Sequence, residues 1–167
     1  MFLMHETSNS DLFKLFLYNW KVRDDWFEWC NQLTSEDLLR KRVGGVGSIL
    51  HTLLHIIDVE YSWICAMQAK EDVKIEFNEY NTLEEVISLS HTLRDSITHY
   101  FSNDYVSDNS LVFVPWDNES YSKEDIIIHI ITHEIHHFGQ LSVWAREIGL
   151  NPVSASFIGR AKKLNYL

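Results

Sequence analysis

Proline is nearly missing from this chain. Of 167 residues only Pro115 and Pro152 are proline. Both fall outside the long stretches of periodic apolar residues, so nothing in those stretches breaks a helix. Cysteine is equally scarce. Cys30 and Cys65 stand apart inside apolar patterns, with no C-x-x-C pair. This argues against a disulfide framework and predicts two buried free thiols. Positive charge is short as well: 14 Lys and Arg stand against 24 Asp and Glu, a net charge of −10. A general nucleic-acid binder or a protein that docks on anionic lipid needs the opposite balance. No apolar run has the length of a membrane span. Residues 1–6 form too short an apolar stretch, too soon acidic, for a secretory signal. The expectation is a cytoplasmic protein with neither nucleic acid nor membrane as partner.

Apolar residues make up 46% of the chain and aromatic residues 13%, enough for a substantial core. One domain over residues 1–167 is expected. Helical periodicity marks four long segments, at about 10–32, 48–70, 82–101 and 123–148. Ser10, Ser48 and Thr82 are their natural caps, with Thr82 and Glu85 spaced as a capping box. Ser122 and Asp125 repeat that spacing before the last helix, and Gly149 is its stop. The last helix is apolar on more than one side, which predicts a central place in the core. Leu111–Val114 favours strand, and residues 116–119 read as a turn. The fold class is all-α: an antiparallel four-helix bundle with a short strand-like insertion before the last long helix.

Four of the nine histidines lie within nine residues of that helix. His129, His133 and His137 are spaced i, i+4, i+8 and share one face, whereas His136 points elsewhere. Several imidazoles on an Ile-rich face each need a partner, and an unpaired buried polar group costs about 1–3 kcal/mol. One metal ion satisfies them together, which makes His133 and His137 candidate ligands.

The segment also fits H-E-x-x-H, in which Glu134 would be a general base. A metalloprotease of that kind takes its third ligand from downstream. Here Gln140 and Val143 occupy the places where a Gly and a third His would stand, and Glu147 is too close on the same helix. The third ligand must come from upstream, where His51 and His55 are again four apart. His55 is embedded in apolar sequence and is preferred. His51 is nearer the helix start. Asp58, three residues after His55, is placed to orient a ligand ring. His129 and Asn19 are further candidates for the wall of the same cavity.

The stretch from Gly47 through Ser48, His51, Leu54, His55, Asp58 and Glu60 to Trp63 resembles the second helix of the DinB-like (damage-inducible) family of bacterial metal-binding proteins. His129, His133, His136, His137, Gly139 and Gln140 resemble its last bundle helix, where a His-x-x-x-His pair is followed by Gly-Gln. The likeness extends over most of the chain, including the ending Gly149, Leu150, Asn151 and Pro152. Family sequences often carry Arg before Gly-Gln, where this chain has Phe138. The resemblance implies an up-down-down-up bundle, a homodimer, and a divalent metal held by His55, His133 and His137. Relatives include transferases that join low-molecular-weight thiols such as bacillithiol or mycothiol to electrophiles, and a thiol-dependent maleylpyruvate isomerase.

Neutral imidazoles suit zinc or nickel, with iron and manganese as alternatives. The leading expectation is a metal-dependent thiol S-transferase acting on small electrophiles. A metal-dependent hydrolase is the alternative, and a non-enzymatic stress-response protein with a structural metal is a second. The residues alone leave open whether the protein is an enzyme.

Overall fold

The computed structural model describes residues 9–108 and 110–161. His5 and the side chain of Ser10, an expected helix cap, lie outside the described residues. The chain folds into helices α1 (Asn9–Cys30), α2 (Ser35–Leu39), α3 (Ile49–Met67), α4 (Leu83–Asn103), α5 (Lys123–Glu147) and α6 (Phe157–Ala161). A two-stranded antiparallel hairpin, β1 (Leu111–Val114) and β2 (Glu119–Ser122), precedes α5. The four long helices and the hairpin stand where periodicity puts them. The short α6 carried no periodic signal of its own.

The helix starts follow from side-chain chemistry. Ser48 accepts the backbone N–H of His51, and Thr82 and Glu85 form a complete capping box. Ser122 accepts the N–H of Asp125, while the Asp125 carboxylate accepts the Ser122 hydroxyl instead of reaching its backbone. Aspartate is one methylene too short for the full reciprocal box. At the other end of α5, Gly149 has φ +80°, and Leu150 N–H reaches the carbonyl of Ala145, closing a Schellman turn. Helix α3 closes in the same way through Ala69, a non-glycine residue at φ +51°.

Contacts along the helices give the connectivity. His55 meets His137 and Trp63 meets His129, so α3 and α5 run antiparallel. Asn19 bonds Ile131 and Arg23 bonds Glu134, so α1 and α5 run parallel. Phe16 packs on Phe101 while Asp24 pairs with Arg94, so α4 opposes α1. The order is therefore up-down-down-up. Helix α5 buries two faces, one against α1 and one against α3. It leaves Ile128, Ile135 and Val143 exposed on a third, so it is less enclosed than its all-round apolar pattern suggests.

The core divides into two clusters. One holds Val22, Trp26, Leu50, Leu53, Leu54, Ile57, Phe138 and Leu141. The other holds Phe16, Ile64, Ile97, Val114, Ile126, Ile127, Ile130 and Ile131 at the opposite end. Between them lies a buried polar level of Asn19, Arg23, Glu60 and Glu134. Cys30 and Cys65 are buried free thiols, as expected. Among the described residues no helix is long and apolar enough to cross a membrane.

Ala69 occupies left-handed backbone space, which crowds its Cβ. Ala69→Gly is therefore expected to raise unfolding stability by about 1 kcal/mol, read from a urea titration.

Candidate metal centre

Three imidazoles converge at the seam between α3 and α5. His133 Nε2 lies 3.2 Å from His55 Nε2 and 3.1 Å from His137 Nε2. Tetrahedral zinc at its usual bond length of about 2.0–2.1 Å spaces its nitrogen ligands about 3.3 Å apart. The two separations come close to that. Among the described residues these three are the one group of His, Cys, Asp and Glu side chains gathered tightly enough for an ion. The donor set fits a divalent transition metal on chemistry alone. Three ring nitrogens aimed at one point cannot all be satisfied by sharing protons, whereas one cation accepts every lone pair.

The helices explain the convergence. His133 and His137 are one turn apart on the face of α5 that meets α3. His55 sits within the α3 apolar stripe, between buried Leu54 and Ile56. Phe77, in the 3₁₀ turn Phe77–Glu79, covers His55 and His51 with ring centroids 6.4 and 5.9 Å away. Burial, and then the neighbouring His137, push His55 down to about 4. Burial and the adjacent rings push His133 down to about 3. His137 is lowered chiefly by burial, against a hydrogen bond to Gln140 that works the other way. All three are held neutral, the form in which an imidazole ligates.

The remaining candidates fall elsewhere. His51 stacks toward Phe77 and stays outside the cluster. His129 tilts against Trp63 at 4.8 Å and lines a cavity of about 260 Å³ with Trp63, Asp117, Tyr121 and Asp125. Asp58 hydrogen-bonds none of the three rings among the described residues. Burial and Asp72 push its carboxyl up to about 6. Asn19 is 1% exposed and donates to the Ile131 carbonyl at 3.0 Å, so it binds α1 to α5 and does not line the histidine site.

Glu134 faces away from the histidines. It is 1% exposed and accepts Arg23 Nε at 2.6 Å, on the side of α5 that faces α1. The 100° step from His133 carries it away from the α3 seam, so it cannot serve the site as a base. Arg23 also holds Glu60, at 3.0 and 2.8 Å through its two terminal nitrogens. Trp20 Nε1 donates to the same carboxylate at 2.8 Å. Burial pushes the Arg23 pKa down, but Glu134 and Glu60 outweigh it and hold the guanidinium firmly charged. Burial raises Glu134, with Arg23 opposing and Glu60 reinforcing.

The sequence assigns Arg23 no role, and Glu60 and Gln140 appear there only within the family-like motifs. The first two left a readable signal, because each is a charged residue within an apolar stripe: Arg23 between Val22 and Trp26, Glu60 between Ile57 and Ile64.

Removing one member of a buried charge cluster strands the others. Arg23→Met is expected to cost about 3–5 kcal/mol in urea unfolding, most of it recovered when Glu60 and Glu134 are also made apolar. The neutral histidines predict a pH effect in the metal-free protein. As pH falls, the unfolded imidazoles, at about 6.5, take protons before the folded ones. Their contribution to stability is full above that value and is lost between there and the folded values of about 4 and 3. Melting temperatures should drop through that window, and drop less in His133→Asn.

A family model for the DinB family matches residues 4–163. The chain is also 57% identical over 155 residues to uncharacterized protein YizA of Bacillus subtilis (strain 168), covering 91% of this chain and 97% of that one. With the bundle and its three-histidine cluster in place, these matches establish that the chain belongs to the DinB family.

Proposed function

We propose that His55, His133 and His137 hold one divalent transition-metal ion, zinc or nickel, and that the protein is a metal-dependent S-transferase joining a low-molecular-weight thiol to a small electrophile. The observation that carries the metal reading is the approach of His55 Nε2 and His137 Nε2 to 3.2 and 3.1 Å from His133 Nε2, with all three ligand atoms within 4.8 Å of one another. Three protein ligands are the number found where a position is left open for chemistry. Such an ion supplies Lewis acidity, lowering the pKa of the group that enters the open position.

The thiol reading rests on what surrounds the ligands. A free thiol has a pKa of about 8.5 and water one of about 15.7, so a thiol needs far less help to ionise near neutral pH. The carboxylate suited by sequence to assist a water, Glu134, is committed to Arg23. This weakens the hydrolase alternative. His129 stands one turn from His133 with ring centroids 5.9 Å apart, outside the three-histidine group. It therefore does not close the site, which weakens the purely structural reading. Phe77 on one side and Trp63 with Tyr121 beyond His129 give the seam aromatic walls suited to a small organic substrate.

The test combines the zinc- or nickel-loaded protein, bacillithiol and a panel of chromogenic electrophiles. Conjugation above the metal-free background is the expected result. His55→Ala should lose both tight metal binding and that conjugation. Absence of conjugation across the panel would sink the transferase reading, and ester or amide turnover without thiol would replace it with the hydrolase.

A further inference from the structure

One polar side chain touches the cluster without belonging to it. Gln140 Oε1 lies 2.8 Å from His137 Nδ1, and Gln140 Nε2 lies 3.0 Å from His136 Nε2. Being three and four residues before Gln140 on α5, the two rings present themselves to the two ends of a single amide.

We infer that Gln140 is a positioning residue: its carbonyl oxygen holds His137 in the tautomer that carries its proton on Nδ1, which leaves Nε2 bare and aimed at the metal. The inference rests on the metal reading of the site. An imidazole offers one lone pair when neutral, and the partner of the other nitrogen decides which atom offers it. His137 Nε2 must be the bare atom, because it points at His133 Nε2, 3.1 Å away, at the centre of the cluster. The Nδ1–H then needs an acceptor, and Gln140 Oε1 is the atom in reach. Turned over, the amide would present N–H groups to Nδ1 and force the proton onto Nε2, where it would block ligation.

Two neighbours frame the amide. Gln140 Nε2 lies 3.0 Å from His136 Nε2, which accepts its N–H when that ring carries its own proton on Nδ1. From the other side the loop before α3 closes over it. Gly45 has φ +54°, and a Cβ built there would lie 2.6 Å from Gln140 Oε1 and 3.1 Å from the Trp144 ring. Any side chain at position 45 would push the amide off His137. The loop is itself tied to α5, since Trp144 Nε1 donates to the Val43 carbonyl at 3.1 Å. A glycine far in sequence from His137 and Gln140 thus leaves the room in which the amide sits.

Partners of this kind shift metal affinity about 10- to 100-fold. Zinc affinity is measured by competition with a chromogenic chelator, and the His137 tautomer by ¹⁵N ring spectra of the metal-free protein. Gln140→Leu, which fills the space without an acceptor, should lose affinity within that range and move His137 toward the Nε2–H form. Gln140→Glu restores an acceptor and should recover wild-type affinity and the Nδ1–H form. Gly45→Ala should resemble Gln140→Leu although Gln140 is intact. Wild-type affinity in Gln140→Leu, or equal weakness in Gln140→Glu and Gln140→Leu, overturns the assignment. If Gln140→Leu fails to fold, Gln140→Glu and Gly45→Ala decide by the same readings. If the wild-type protein itself binds no zinc or nickel, the metal reading fails, and the ring spectra still tell whether Gln140 sets the tautomer.

Discussion

A guanidinium with no exposed surface has to be met by acceptors, and Arg23 finds them on two other helices. Glu60 comes from α3 and Glu134 from α5, so one side chain of α1 fixes how far each of those helices is rotated about its own axis. The consequence for α5 is direct. With Glu134 turned to α1, the 100° step of the helix turns His133 and His137 to α3. With Glu60 turned to α1, His55 is carried toward α5. Apolar packing alone tolerates rotation and slippage, because one Ile or Leu substitutes for another at modest cost. A buried charge tolerates neither, since a mispaired arrangement leaves an ion in the core. The ionic level therefore holds the bundle in the one rotation that gathers the histidines.

The two polar features differ in how they are satisfied. In the Arg23 level each of the three charged side chains is paired within the protein. The histidine cluster is not: its nitrogens converge without enough protons to bond one another, and burial keeps the rings from charging. A folded protein that spends core volume on such an arrangement is organised for something outside its own chain. The surrounding groups agree. Phe77 screens one side from water, and Gln140 fixes a ring from behind.

The parts of this that were legible in the sequence were those carried by local spacing. His133 and His137 are one turn apart whatever packs on them, and the caps at Ser48, Thr82 and Ser122 act within three residues. The hairpin showed in Leu111–Val114. What the sequence did not disclose needed helix rotation in space. Glu134 stands beside a ligand in the motif, but only its long-range partner reveals which way it faces. Asn19 shares an apolar stripe with core residues of α1, yet its amide answers a carbonyl of α5. Gln140 is recognisable as a partner once the ring it touches is placed, and Gly45 once the loop is seen against the amide.

The histidines that meet at the seam are 78 residues apart in the chain. The intervening sequence includes the end of α3, all of α4 and the hairpin, so the cluster exists only when the bundle has closed. An ion held there would bind the native chain, with all three ligands gathered, more tightly than the unfolded one. By mass action it then shifts the folding equilibrium in proportion to its free concentration. The protein's lifetime in a cell would follow the supply of that metal, with scarcity exposing it to proteolysis and plenty sheltering it.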